Sequence, residues 1–426
     1  MKKVLIIGVL LIVAHSSAVF AGEVVGPNPG EQFIPRSETL KLLQLPSPAP
    51  LLKKGHPVDW WFVFKLNAAK FPGCGGTAQR VCSFGGQVQN YTGSFSQQFA
   101  YASSESPALQ AGSGCVGDTL TDPVGATFDE IYNGTLNYVL WNDQFYGDPI
   151  GSASSPWGHS KGVAAWNDSG EGFVLQVSTP SWPGSGSSKF PRGDGNTLGC
   201  VEDNDVKVSQ HFFALKLTKD DLVKVLQGLA NASIVTDISE PQLVRNGGPG
   251  EIQALVKKLG EKSTSTTVLD VTLSTGVKLI SKPSRLHVPP WQMISATLKK
   301  VPLRTATWWA NPTIMSTIQS STIDCWSDTL GTPGAVQIAT TGQWNGNIIN
   351  LKGGPQPDAN HAKIGVSSDS ARPYTIFGDL NQQGALSGNC SSSQNGRGGT
   401  FYVINNKALF DSVTGLIKGG TGPVAQ

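Results

Sequence analysis

Short apolar runs separated by polar turns dominate the chain from residue 59 onward. Residues 59–66, 136–141, 162–166, 173–177 and 211–215 are rich in Trp, Phe, Val and Leu, and their length and composition predict strands. Helical spacing is scarcer. Thr218 can cap a helix whose apolar positions are Leu222, Val223, Val225, Leu226 and Leu229, with Asp220 and Asp221 at its positive end. A second helix is predicted over 251–259, stopping at Gly260, and a third over 406–417. Residues 22–57 read as an irregular Pro-rich arm, and 71–124, rich in Gly, Ser and Gln, as loops with short edge structure. The run Asn246-Gly247-Gly248-Pro249-Gly250, within 237–250, marks the best junction between two parts of the chain.

Composition narrows the class. A chain of 426 residues with 39% hydrophobic and only 15% charged residues suits a folded protein with more than one domain's worth of core. Gly (50) and Pro (27) favour turns and short strands over helical bundles. The net charge of +2 neither points to a nucleic-acid partner nor excludes one. Lys2 and Lys3, the apolar run 4–14 and Val19-Phe20-Ala21 have the layout of a secretory signal over 1–21, so a secreted or periplasmic location is expected. That run is too short for an ordinary membrane span, and no later one replaces it. All six cysteines follow the leader, which in an exported protein suggests disulfides of open connectivity. Neither Cys-x-x-Cys nor His-Glu-x-x-His occurs, so no metal site is expected.

Two triplets carry the chemistry. His159-Ser160-Lys161 and His361-Ala362-Lys363 are the only His-x-Lys triplets, one in each half. Each leads through a polar turn into an apolar strand: 167–170 into Phe173-Val174-Leu175, and 367–370 into Tyr374-Thr375-Ile376-Phe377. In extended chain, residues two apart share a face, which puts each lysine beside its histidine. Two imidazoles and two cations suit attack on a phosphodiester. One imidazole attacks phosphorus, the other protonates the leaving oxygen, and the lysines neutralise the non-bridging oxygens. The bland alternative is two surface histidines beside solvated lysines. Lys257, Lys258, Lys262, Lys299, Lys300 and Arg304 read as a solvated face more readily than as a phosphate-binding one. One member each of Trp60-Trp61 and Trp308-Trp309 is expected in the core, and His56, His211 and His287 read as structural or surface residues.

Several blocks, taken in order, carry a resemblance. They are Pro57-Val58-Asp59-Trp60-Trp61 with Lys65-Leu66, Leu140-Trp141-Asn142-Asp143-Gln144, Gly158-His159-Ser160-Lys161-Gly162-Val163, Asn360-His361-Ala362-Lys363, Gly378-Asp379-Leu380-Asn381 and Gly398-Gly399-Thr400. Together they resemble deoxyribonuclease II, the acid endonuclease branch of the phospholipase D superfamily, over much of the chain beyond the leader. The resemblance implies an α/β (mixed α+β) fold: two phospholipase D-like halves, 22–240 and 241–426, each a mixed β-sheet flanked by helices, forming a pseudo-dimer around one active site. It implies His159, Lys161, His361 and Lys363 as the catalytic set, Asn381 as a substrate-binding residue, and no metal or other cofactor. The implied activity is a DNA endonuclease acting through a phosphohistidine and leaving 3′-phosphate and 5′-hydroxyl ends, with double-stranded DNA as the expected substrate. The aspartate that the wider superfamily carries after each lysine is absent: Trp166 and Ser368 stand there, as in the deoxyribonuclease II branch. Ser181 stands near the place that matches Asn381. A phosphodiesterase acting on lipid headgroups would share the chemistry, but no amphipathic basic helix offers it a membrane surface. An inactive nucleic-acid-binding relative would keep the fold, but both triplets are intact. A homodimer clamping duplex DNA stays open, and an acidic optimum is expected because one imidazole must start protonated.

Overall fold

The structure is a computed structural model describing residues 47–74, 84, 95–117, 119–145, 150–184, 186–191 and 206–425. The signal segment 1–21 and most of the Pro-rich arm lie outside the described residues. The end of the arm is ordered as a hairpin of β1 (Leu51–Lys53) and β2 (His56–Pro57), where irregular chain was expected.

The first sheet comprises β3 (Trp60–Lys65), β4 (Phe99–Ser103), β5 (Gln110–Ala111), β6 (Asn137–Asn142), β7 (Lys161–Trp166), β8 (Gly172–Val177), β9 (Gln210–Leu217) and β10 (Val244–Arg245). Its order is β10-β6-β7-β8-β9-β3-β4-β5, antiparallel throughout. The second sheet takes β11 (Leu269–Thr272), β12 (Lys278–Lys282), β13 (Leu303–Ala306) and β14 (Val336–Ile338). After a separate hairpin, β15 (Thr341–Trp344) and β16 (Asn347–Asn350), it adds β17 (Ile364–Ser367), β18 (Tyr374–Gly378) and β19 (Gly399–Asn405). Its order is β11-β12-β19-β18-β17-β13-β14, and only β13–β14 runs parallel. The fold is thus a mixed α/β fold of several sheets flanked by helices. Mixed sheets were expected; the second sheet is mixed, whereas every described pairing in the first is antiparallel. β10 lies beyond residue 240 and still belongs to the first sheet.

The helices are α1 (Pro123–Tyr132), α2 (Lys219–Asn231), α3 (Gly250–Val256), α4 (Pro290–Thr297) and α5 (Lys407–Leu416). Thr218 caps α2 as expected: its hydroxyl accepts from the Asp221 amide, and the Asp221 carboxylate accepts from the Thr218 amide in return. Buried Leu222, Val225, Leu226 and Leu229 form the inner stripe of α2. This helix touches β8 and β9 of the first sheet and β11, β12 and β19 of the second, so it straddles both. α1 and α4 were not foreseen. Each begins with Pro in its first turn, where the missing N–H costs nothing, although in sequence a proline reads first as a breaker.

The two sheets share one connectivity. Five strands in the first, ordered β6-β7-β8-β9-β3, and five in the second, ordered β13-β17-β18-β19-β12, follow the same chain sequence with antiparallel pairing at every step. The helices match as well: α1 and α4 directly precede β6 and β13, and α2 and α5 directly follow β9 and β19. β3, β6, β7 and β8 are buried at every position, which explains their continuous apolar runs in place of alternation. The sheets meet across aromatic rings: Phe377 stacks on Phe62 at 4.5 Å and on Phe213 at 4.6 Å, and Phe213 meets Tyr402 at 5.4 Å. Cys74–Cys115 and Cys325–Cys390 are disulfides; Cys82 and Cys200 lie outside the described residues.

Phe377 contacts rings from both strands of the first sheet that face it. Phe377→Ala is expected to lower unfolding stability by about 3–5 kcal/mol, measured by urea titration, and to keep a single transition. A loss below about 1 kcal/mol would show that the ring seam does not join the sheets.

Candidate active site

Each triplet is held by the opposite sheet. His159 precedes β7, and its amide donates to the carbonyl of Gly398, just ahead of β19, at 2.8 Å. His361 precedes β17, and its amide donates to the carbonyl of Ser209, just ahead of β9, at 2.7 Å. The leader of a first-sheet strand therefore rests on a second-sheet leader, and the reverse. Close approach makes this feasible: a Cβ at Gly158 or at Gly398 would lie 2.6 or 2.1 Å from the Ala232 carbonyl oxygen, so neither position admits a side chain.

The crossing brings the four triplet residues into one buried cluster. His159, Lys161, His361 and Lys363 are 5%, 2%, 5% and 1% exposed. His159 lies in the field of Lys161, Arg397 and Lys363; His361 lies in that of Lys363, Lys161, His159 and His211. Burial first, then these neighbours, the lysine and arginine cations foremost, hold both imidazoles well below the ordinary value of 6.5.

The two histidines are not held alike. Nδ1 of His159 is 2.8 Å from the main-chain carbonyl of Asp379, which can only accept. This puts the proton on Nδ1 and the lone pair on Nε2. Among the described residues Nδ1 of His361 has no hydrogen-bond partner, and its ring meets Trp308 edgewise at 4.9 Å. Lys161 ion-pairs with Asp143 at 2.6 Å, and the other oxygen of Asp143 lies 2.8 Å from Arg397. Burial lowers the Lys161 pKa, and Asp143 opposes that shift. The Lys363 ammonium donates to the His361 carbonyl at 2.6 Å, while its amide donates to Nδ1 of His211 at 3.1 Å.

Asp379 does more than lend its carbonyl. Its carboxylate accepts from the Thr400 amide at 2.7 Å, the Thr400 hydroxyl at 2.8 Å and Nε2 of Gln176 at 2.9 Å, with the Ser160 hydroxyl a further donor. Burial nonetheless outweighs these bonds and raises its pKa to about 6. Arg397 spends its guanidinium on the carbonyls of Ala153, Trp157 and Gly158, the loop that delivers His159.

Of the residues singled out in sequence, the four triplet residues converge. Asn381 lies two residues past Asp379, buried, with its amide nitrogen committed to Gln383 at 2.8 Å. Ser181 is buried, its amide donating to the Gln144 carbonyl at 2.8 Å. Trp166 is buried and donates to the Gly247 carbonyl, and Ser368 is exposed. The carboxylate beside Lys161 comes instead from the end of the neighbouring strand, where Asn142 pairs with Lys161 in register. Sequence reasoning gave no place in the site to Asp143, Asp379, Arg397, His211 or Trp308; of Trp308 and Trp309, one of which was expected in the core, both are only half-buried. Asp143 and Asp379 stood inside the resembling blocks, whereas His211, read as structural or surface, is buried against Lys363. Arg304, read as solvated, clamps the C-terminal carbonyls of Ile417, Gly419 and Gly420. Among the described residues no group of three or more His, Cys, Asp or Glu is placed to hold a metal ion, and no helix is long and apolar enough to cross a membrane.

Comparisons with known proteins extend this picture. The family profile described as Deoxyribonuclease II matches residues 50–420. The chain is similar to Cell-death-related nuclease 7 of Caenorhabditis elegans, 25% identical over 369 residues that cover 84% of this chain and 83% of that protein. It is also similar to Deoxyribonuclease-2-alpha of Sus scrofa, 32% identical over 155 residues, and of Bos taurus, 33% identical over 156 residues. These two matches cover 34% of this chain and 37% and 38% of the mammalian proteins.

Histidines held below 6.5 bind fewer protons folded than unfolded. Their contribution to stability is complete above 6.5 and is lost as pH falls through that value toward the folded pKa values. In the ligand-free protein both imidazoles are expected to be neutral at pH 6.5, read from ring 15N shifts. Added inorganic phosphate should raise the protonation of one ring, because an anion offsets the nearby lysines. Rings half protonated without phosphate at that pH would contradict the burial argument.

Proposed function

This chain belongs to the deoxyribonuclease II family, and on that footing we propose that it is a nuclease-type hydrolase of the phospholipase D superfamily, more narrowly a secreted or periplasmic DNA endonuclease that needs no metal. The observation that carries the reading is the convergence of both His-x-Lys triplets, each held by the opposite sheet, in one electrostatically coupled cluster. The repeated five-strand order supports reading the two sheets as phospholipase D-like halves of a pseudo-dimer around a single active site.

In this reading the Nε2 lone pair of His159 attacks phosphorus. The fixed proton on Nδ1 supports that role, because it keeps Nε2 free. A P–N bond forms as the P–O5′ bond breaks, and His361 gives its proton to the departing oxygen. Lys161 and Lys363 neutralise the non-bridging oxygens, with Asp143 fixing the Lys161 ammonium. His361, now neutral, takes a proton from water, which displaces His159 and leaves a 3′-phosphate. The acid must carry its proton in a buried cationic setting, so the charge of the bound phosphodiester has to raise its pKa. Asn381, two residues past the Asp379 carbonyl, is proposed to contact the substrate by exchanging its bond to Gln383 for one to phosphate.

Plasmid nicking in EDTA tests the scheme. His159→Ala and His361→Ala should each lose about 10³-fold or more in rate. Cleaved ends should carry 3′-phosphate, and phosphatidylcholine should remain intact. The wild-type rate should fall as pH rises past neutrality, since the acid then loses its proton. Full nicking by either variant would remove that histidine from the mechanism, and a rate still rising above about pH 8 would contradict the acid role of an imidazole.

A further inference from the structure

The repeated connectivity pairs a second set of lysines, outside the triplets. Lys65 is the last residue of β3 and Lys282 the last of β12, the matching strands of the two sheets. Lys65 stands opposite Gln210, the first residue of β9; Lys282 stands opposite Gly399, the first residue of β19. The residues one step earlier, Ser209 and Gly398, supply the carbonyls that receive the amides of His361 and His159. Both lysines are completely buried.

Their ammonium groups bond in a common pattern. Each donates to the carbonyl of the next residue: Lys65 to Leu66 at 3.3 Å, Lys282 to Pro283 at 3.4 Å. Each also reaches a loop that bears on the adjacent strand leader. Lys65 donates to the Ser96 carbonyl at 2.9 Å, and the Ser96 amide in turn donates to the Val206 carbonyl, three residues ahead of Ser209. Lys282 donates to the carbonyls of Asn395 at 2.8 Å and Arg397 at 2.9 Å, and Arg397 is bonded directly to Gly398 in the chain. Among the described residues no carboxylate pairs with Lys282; its partners are main-chain oxygens.

Burying a lysine amine this deeply is costly, and burial pushes the Lys282 pKa down to about 7. What each amine supplies is a donor that gathers carbonyls of an irregular loop at one point. We propose that Lys65 and Lys282 are positioning residues of the active site, Lys282 setting the pose of His159 and Lys65 that of His361, each across the sheet boundary. The effect is crossed: a lysine in one half governs the histidine of the other. The inference rests on the two-histidine reading for its catalytic meaning, but the positioning itself can be measured without catalysis.

The test uses the full chain with 15N-labelled histidine, comparing Lys282→Met and Lys65→Met with wild type. Ring 15N shifts and plasmid nicking are read on the same samples. Lys282→Met should move the His159 ring resonances and leave those of His361 in place, and Lys65→Met should do the reverse. Each should lower kcat about tenfold or more while KM stays within about twofold, because misplaced groups lose transition-state alignment before they lose binding. Both rings moving equally in both variants, or neither moving, would overturn the inference. If wild type nicks DNA and the crossed pattern is missing, the two-histidine reading stands and this inference falls. If wild type does not nick, that reading falls, and the crossed shifts alone decide the positioning. Should a Met variant not fold, the Gln variant at that position replaces it and must give the same crossed shifts. A chain that folds with neither Met nor Gln at that position would mark the lysine as structural only and also overturn the inference.

Discussion

Two main-chain hydrogen bonds, His159 to Gly398 and His361 to Ser209, set the geometry on which the rest of the site depends. Both tie a triplet to the opposite sheet. A triplet pinned within its own half would be positioned by local strand geometry alone. Pinned crosswise, it takes its position from the contact between the sheets, so the aromatic seam of Phe62, Phe213, Phe377 and Tyr402 and the straddling helix α2 become conditions for the chemistry. The glycines at 158 and 398 belong to the same constraint, since a single methyl at either would force the leaders apart from the Ala232 carbonyl.

Around this frame the charges are arranged in layers. Lys161 and Lys363 lie beside the imidazoles, Asp143 and Arg397 behind Lys161, and Asp379 behind His159. Burial makes each of these interactions stronger than it would be in water and each unpaired group more costly. The result favours neutral imidazoles near neutral pH. Asp379 links the two tasks: its carboxylate is fixed by donors from β8, β19 and the Ser160 hydroxyl, and its rigid carbonyl then selects the tautomer of His159.

Much of the fold was legible in the sequence where one physical signal dominated. The central strands of the first sheet are unbroken apolar runs, and the Thr218 cap with its acidic first turn announces α2. Both triplets, with their strand-turn-strand setting, could be read directly. Other features depend on tertiary neighbours. α1 follows a Gly- and Cys-rich stretch and opens on Pro123, both loop signals in sequence, and the Asp122 side chain that caps it fixes its start. Asp143 matters because cross-strand register places it beside Lys161, which no periodicity encodes. His211 sits within an apolar strand and owes its place to the Lys363 amide from the other sheet. The likeness of the two sheets lies in strand order, not in residues: Phe64-Lys65-Leu66 and Ser281-Lys282-Pro283 share only the lysine.

The Cys325–Cys390 disulfide closes a covalent ring that encloses His361, Lys363, Asp379 and Asn381, with β17 and β18 between them. Cutting one peptide bond in that ring opens it without separating the pieces. Both fragments stay tethered, and the two paired strands remain docked against β13 and β19. The second triplet is thereby buffered against a single proteolytic cut for as long as the disulfide stays oxidised. In a reducing milieu the same cut would leave the two pieces joined by strand pairing and packing alone.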